Sequence, residues 1–254
     1  MIELVSHYLF PLLFLTGMVA GTIDAIAGGG GLIALPVLLS TGMSPAMALG
    51  TNKLQSMCGT AIAAHSYYRH GLIDPKKLLR GLIFCFGGAI LGAIASQAIS
   101  SELLKKIIPV LLFLVLLYSI FTPHVGHEDS APKINEKWFY TIIGSLLGFY
   151  DGFLGPGVGA FWVFSFIFFL GYNLFKATAY TKIFNVTTNI TAMICFAIGN
   201  NIDYRLGLCM AAGQIIGGKL GVHLAIKKGT RLIRPVFIIV VSITIGTLLY
   251  KTYA

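Results

Sequence analysis

Residues 21–36 read GTIDAIAGGGGLIALP. A lone carboxylate, Asp24, sits in an otherwise apolar stretch, and four consecutive glycines, Gly28 to Gly31, follow it. Each glycine costs a helix roughly 1 kcal/mol relative to Ala. The run therefore predicts a helix that ends near Ala27 and a new one that begins near Leu32. The break strands backbone N–H and C=O groups, which a membrane tolerates only where protein or a water-filled cavity satisfies them. The new helix also points its free N–H groups, the positive end of its dipole, at the break. An acid beside a broken helix in an apolar chain points to a transport site.

The device recurs at 148–159, GFYDGFLGPGVG. Asp151 stands where Asp24 stood, and Gly155 and Gly157 where Gly28 and Gly30 stood. Tyr150, beside Asp151, is placed to hydrogen-bond near this second break.

The surrounding chain fits that reading. Of its 254 residues 56% are hydrophobic and 11% charged, against about a quarter charged in a soluble domain. Mean hydropathy is +0.85. This composition predicts an all-α polytopic membrane protein. The first 21 residues read as a first membrane segment, not a removable leader. The net charge of +9 does not imply nucleic acid, because the basic residues fall in short clusters between apolar runs, as in cytoplasmic loops. Cys58, Cys85, Cys195 and Cys209 lack CxxC spacing and read as small hydrophobes. Nothing calls for a metal or a cofactor.

Apolar segments are expected near 7–27, 31–41, 45–68, 77–100 and 106–121, then near 138–153, 158–170, 174–199, 205–226 and 232–250. Residues 1–121 form a first membrane repeat, 122–137 a polar linker and 138–254 a second repeat, all within one membrane domain. The second segment of each half is short of the ~20 residues a crossing needs. It either crosses or re-enters, which leaves eight to ten helical segments in all. Landmarks repeat in order: ALGTNKLQ around Lys53 and ATAYTKIFN around Lys182, GLID and NNID, and the GxxxG pairs Gly88/Gly92 and Gly217/Gly221. The GxxxG pairs let helices approach closely, within the fold or at a homodimer interface. Gln97 and Gln214 read as amides that join helices.

Corresponding loops exchange their basic residues. Arg69, Lys76, Lys77 and Arg80 cluster in the first half, and Lys227, Lys228, Arg231 and Arg234 one loop later in the second. If basic loops face the cytoplasm, the two repeats are inverted and both termini are non-cytoplasmic.

Lys53 and Lys182 each lie early in a long apolar segment. A charge there costs at least ~2.5–3.5 kcal/mol and needs a partner. Two readings stay open. In one, Asp24 braces Lys53 and Asp151 braces Lys182, a static ion pair in each repeat. In the other, the two lysines line an anion site with Asn52, Gln55, Thr181, Asn185 and the backbone at Gly28, Gly30, Gly155 and Gly157. Asp24 and Asp151 then tune or couple it. Two helix N-termini and two lysines favour an anion over a cation. No HExxH, GxSxG, Walker A or dinucleotide motif suggests an enzyme.

GTIDAIAGGGGLIALPVLLSTGMSPAMALGTNKLQ resembles the opening of the TauE/SafE sulfite exporter family, and GFYDGFLGPGVGAF with KATAYTKIFNVTTNI resembles its second half. The likeness covers nearly the whole chain and is nearest to its bacterial inner-membrane branch. It implies a permease for sulfite or an organosulfur anion, usually exported. Its motifs match Asp24, Gly28 to Gly31, Asn52, Lys53, Asp151, Gly155, Gly157 and Lys182. Pro156 stands where the first half has Gly29, so the two half-sites are not expected to be equivalent. The expected function is alternating-access export of a small anion, with the bilayer and the substrate as partners. An uptake permease and a non-transporting membrane scaffold are the alternatives.

Overall fold

The computed structural model describes residues 2–74, 78–100, 102–103, 110 and 128–228. The described residues are helical, with no strand among them. Helices α1 (Ile2–Ala27), α2 (Gly30–Ser40), α3 (Pro45–Arg69) and α4 (Leu79–Ala98) form the first half. In the second half, a turn at Glu136–Trp138 and a π-helical stretch at Phe139–Ile143 run on into α5 (Gly144–Phe153). Helices α6 (Val158–Leu170), α7 (Leu174–Ile198) and α8 (Tyr204–Lys228) follow. These match eight of the ten expected segments. Of the other two, 232–250 lies outside the described residues, as does 106–121 apart from residue 110, and so do Lys76 and Lys77.

The chain's own signals start and stop these helices. Ser44 accepts the Met47 N–H at 3.3 Å, and Pro45 occupies the first turn of α3, where its missing N–H is harmless. Asn173 caps α7 through the Lys176 N–H at 2.9 Å. Gly171, with φ +69°, closes α6 in the left-handed conformation. Helix α2 begins at Gly30, two residues earlier than expected, because the Asp24 carboxylate accepts the Gly30 N–H at 3.3 Å.

Four stretches, Tyr8–Ala27, Leu79–Ala98, Leu174–Ile198 and Tyr204–Lys227, are long and apolar enough to cross a membrane. Helix α3 has 25 residues but carries the polar run around Lys53. Helices α2 and α6, with 11 and 13 residues, are too short to cross alone. Large apolar side chains such as Leu15, Ile83, Leu91, Leu146, Ile194 and Leu208 are exposed on the outer faces of the helices. Lipid is the solvent that suits such faces.

Equivalent helices make equivalent contacts across the halves. The first helix of each half packs on the fourth helix of the other, backbone against backbone. A Cβ added to Gly217 would stand 2.0 Å from the Met18 carbonyl, and one on Gly92 would stand 2.0 Å from the Phe149 carbonyl. Both GxxxG pairs are thus buried inside the fold, the first of the two uses expected for them. Gln97 joins α4 to α7, donating to the Cys195 carbonyl at 3.3 Å and accepting from the Asn201 amide at 3.0 Å. Of the cysteines, Cys85 is buried and the other three are half-buried, and all are free thiols.

The cores on the two sides differ. Around α2 the packing is aliphatic, with Leu32, Leu35 and Leu38 against Leu49 and Phe196. Around α6 it is aromatic: Trp162 stacks on Phe184 at 4.3 Å, and Phe166 lies against both Phe139 and Tyr180. The end of the linker lies along α6. The Ser130 and Lys133 N–H groups donate to the Gly171 and Phe169 carbonyls, and Asp129 accepts from Asn173.

Candidate functional site

The two glycine breaks cross at the centre of the helix packing. A Cβ on Gly28 would lie 2.5 Å from the Gly159 Cα, and one on Gly159 2.4 Å from the Gly28 Cα. Only two bare backbones fit this closely. Gly28, Gly155 and Gly157 have φ of +78°, +89° and +80°. Glycine reaches this region without the steric cost that a Cβ brings. The chain thereby reverses out of α1 and α5 and starts α2 and α6 within a few residues.

Helices α3 and α7 bring their polar faces to this crossing. Lys53 and Lys182 are 1% and 0% exposed, so each ammonium must find a partner inside the protein. The partners are the reverse of those expected within each repeat. Lys53 Nζ lies 2.5 Å from Asp151 Oδ1, and Lys182 Nζ lies 3.6 Å from Asp24 Oδ2. Each ion pair therefore joins one half of the chain to the other. The crossing has a plain physical cause: α3 and α7 pack on each other and present their lysines to the far break.

The two pairs are not equivalent. Asp151 is 2% exposed and accepts from both Lys53 and the Thr188 hydroxyl. Asp24 is 13% exposed; its carboxylate caps α2, and Lys182 donates to the Asp24 backbone carbonyl. Lys182 thus ties the end of α1 in place, where a cation also suits the helix dipole.

Between the breaks is a small polar cavity of about 20 Å³, room for one water-sized guest. Its wall includes Asp24, Gly28, Asn52, Lys53, Asp151, Gly155, Gly157 and Asn185. Eight of the twelve expected site residues therefore converge. The other four sit behind them. Gly30 binds the Asp24 carboxylate, Lys182 holds Asp24, the Gln55 amide donates to Asn52 at 2.7 Å, and Thr181 donates to the Ala177 carbonyl. Tyr150 donates to the Pro156 carbonyl at 2.8 Å and so braces the second break.

Ser56 and Asn189 also line the cavity, and Thr188 reaches Asp151. The sequence reading missed all three. A signal was present: Asn52 and Ser56, and Asn185 and Asn189, are one helical turn apart, so each pair shares a face. Among the described residues, the Asn185 side-chain oxygen is buried without a hydrogen-bond partner. A wider cavity, of about 360 Å³, lies where α3 ends and α7 begins. Its Lys176 is engaged by Asp129 at 3.1 Å and lies over the Tyr172 ring.

The profile described as sulfite exporter TauE/SafE matches residues 13–248. The chain belongs to this family. It is 39% identical over 251 residues to the "Probable membrane transporter protein YfcA" of Escherichia coli K12, covering 98% of this chain and 93% of that one. A "Probable membrane transporter protein" of Haemophilus influenzae is 41% identical over 242 residues, 95% of each chain. The "Probable membrane transporter protein YunE" of Bacillus subtilis is 24% identical over 270 residues, 95% of this chain. No solved structure matches. This TauE/SafE chain is a membrane transporter, and its buried charges and broken helices stand together at one place.

Proposed function

We propose that this TauE/SafE protein exports a small anion, sulfite or an organosulfonate, by alternating access at the site between the crossed breaks, whose cavity of about 20 Å³ must widen to admit the anion. One observation carries the reading: Lys53 stands in the cavity wall, held by an aspartate from the opposite half. Lys53 and the amides of Asn52, Asn185 and Asn189 supply the donors that an oxyanion requires. Asp151 holds Lys53 until the anion takes its place. Because each ion pair spans the halves, loading the site changes what holds the halves together, which suits a rocking motion.

The positive-inside pattern supports inverted repeats in the bacterial inner membrane with both termini non-cytoplasmic. Substrate and bilayer are the partners. A homodimer would form through the apolar outer faces, since both GxxxG pairs are buried within the chain. Uptake uses the same site under opposite gradients.

Flux into proteoliposomes tests the reading with sulfite, sulfate, sulfoacetate and chloride. Saturable flux of a sulfur oxyanion is expected, with loss in Lys53→Met. The double variant Lys53→Met/Asp151→Asn restores charge balance and is expected to fold but not transport. Undiminished flux in that variant would remove Lys53 from the binding site. Normal folding with no flux of any anion, even in the wild type, would favour the scaffold reading.

A further inference from the structure

We infer that Asp151 is a proton site coupled to the anion, so that one proton crosses with each anion that displaces it from Lys53. This rests on the anion reading above and names the ion coupled to it.

Asp24, Asp151, Lys53 and Lys182 bring two negative and two positive charges to the crossing, for a sum of zero. A monoanion arriving alone leaves one uncompensated negative charge in a site shielded from water. A buried unpaired ion costs several kcal/mol, and a buried group escapes that cost by neutralising itself. One proton restores the sum to zero.

The geometry selects Asp151 to receive it. When the anion takes Lys53, the Thr188 hydroxyl is the one side-chain partner that Asp151 keeps among the described residues. Asp24 keeps both Lys182 and the Gly30 N–H, and Lys182 is not part of the cavity wall. Helix α3 contributes Lys53, α7 Thr188, and α4 the Cys85 thiol, which is within electrostatic reach. The break before α6 contributes Gly155 and Gly157 backbone, α1 contributes Asp24 across the cavity, and its own helix contributes Tyr150. None of these replaces the lost cation. Once protonated, Asp151 becomes a donor on the cavity wall, facing the anion.

The step balances. A proton from water on the side of entry joins the Asp151 carboxylate as the anion joins the Lys53 ammonium. On the other side the anion leaves, Lys53 returns to Asp151 and the proton leaves to water. Carrying a monoanion is therefore electroneutral. Direction follows the two gradients together, and outward movement requires an anion gradient larger than any opposing proton gradient.

The test uses the full chain in liposomes with methanesulfonate, a fixed monoanion, a trapped pH dye, and valinomycin to set the potential. The expected result is luminal acidification of one proton per anion taken up, with a rate unchanged by the imposed potential. A gradient of about one pH unit sustains about tenfold accumulation. Asp151→Asn is expected to lose both the acidification and the pH-driven accumulation. Wild-type anion flux without proton movement overturns the coupling and leaves the anion reading intact, whether or not the variant folds. Absence of flux for methanesulfonate, sulfite, sulfate and chloride overturns both.

Discussion

Replacing Lys53 with Met removes the cation from a carboxylate that is 2% exposed. Methionine nearly fills the lysine volume, so the cost is electrostatic more than steric. Breaking a buried pair by removing one partner costs about 3–5 kcal/mol, and both side chains are sheltered enough for that range to apply. Asp151→Asn alone strands the Lys53 ammonium at a similar cost, though Asn still bonds Thr188. The double variant strands neither, so its cost should fall below the sum of the singles by about 2–3 kcal/mol, a strong coupling for residues in contact. The same cycle between Lys53 and Asp24 should show a much smaller coupling, because Asp24 belongs to Lys182. Equilibrium unfolding of the purified protein in detergent measures each corner. Stronger coupling of Lys53 to Asp24 than to Asp151 would refute the crossed pairing, and with it the account of how the halves are joined.

Four further outcomes are expected. Gly159→Ala places a Cβ 2.4 Å from the Gly28 Cα; forcing the breaks apart should cost about 1–3 kcal/mol, measured by the same unfolding assay. Gly71→Ala, with φ +71° but open space around it, is the control for backbone strain alone, at about 1–2 kcal/mol. Asp129 is held below the usual carboxylate range, chiefly by the Asn173 backbone N–H and further by Lys176. Its contribution to stability is present above the ordinary carboxylate pKa and lost as pH falls through the lowered value. Asp129→Asn should therefore flatten the acid limb of thermal midpoint against pH, and an unchanged limb would exclude Asp129 as its source. Cysteines placed near Lys76 and Lys228 should both label from the cytoplasmic side; opposite accessibility would sink the inverted topology.

Much of the fold was legible because membrane helices are written in local terms. Long apolar runs mark the spans, and four glycines after Asp24 or a Gly-Pro-Gly after Asp151 must break a helix wherever they occur. Ser44-Pro45 and Asn173 mark helix starts by short-range hydrogen bonding. The polar faces of α3 and α7 were half read: Asn52, Lys53 and Asn185 stood out, while Ser56, Thr188 and Asn189 did not. A hydroxyl or amide on an apolar helix gains meaning only from what it faces.

By itself the sequence determined that the chain is apolar, twice broken by glycines, and obliged to neutralise two lysines inside apolar segments. It could not determine which aspartate does so. The nearest carboxylate in each repeat was the natural choice, and it was the wrong one. Only the tertiary structure decided this, because interleaved helices bring Asp151 to Lys53 across 98 residues of chain and Asp24 to Lys182 across 158. Pairing energy depends on distance through space, and chain separation carries no information about that distance once the halves interdigitate.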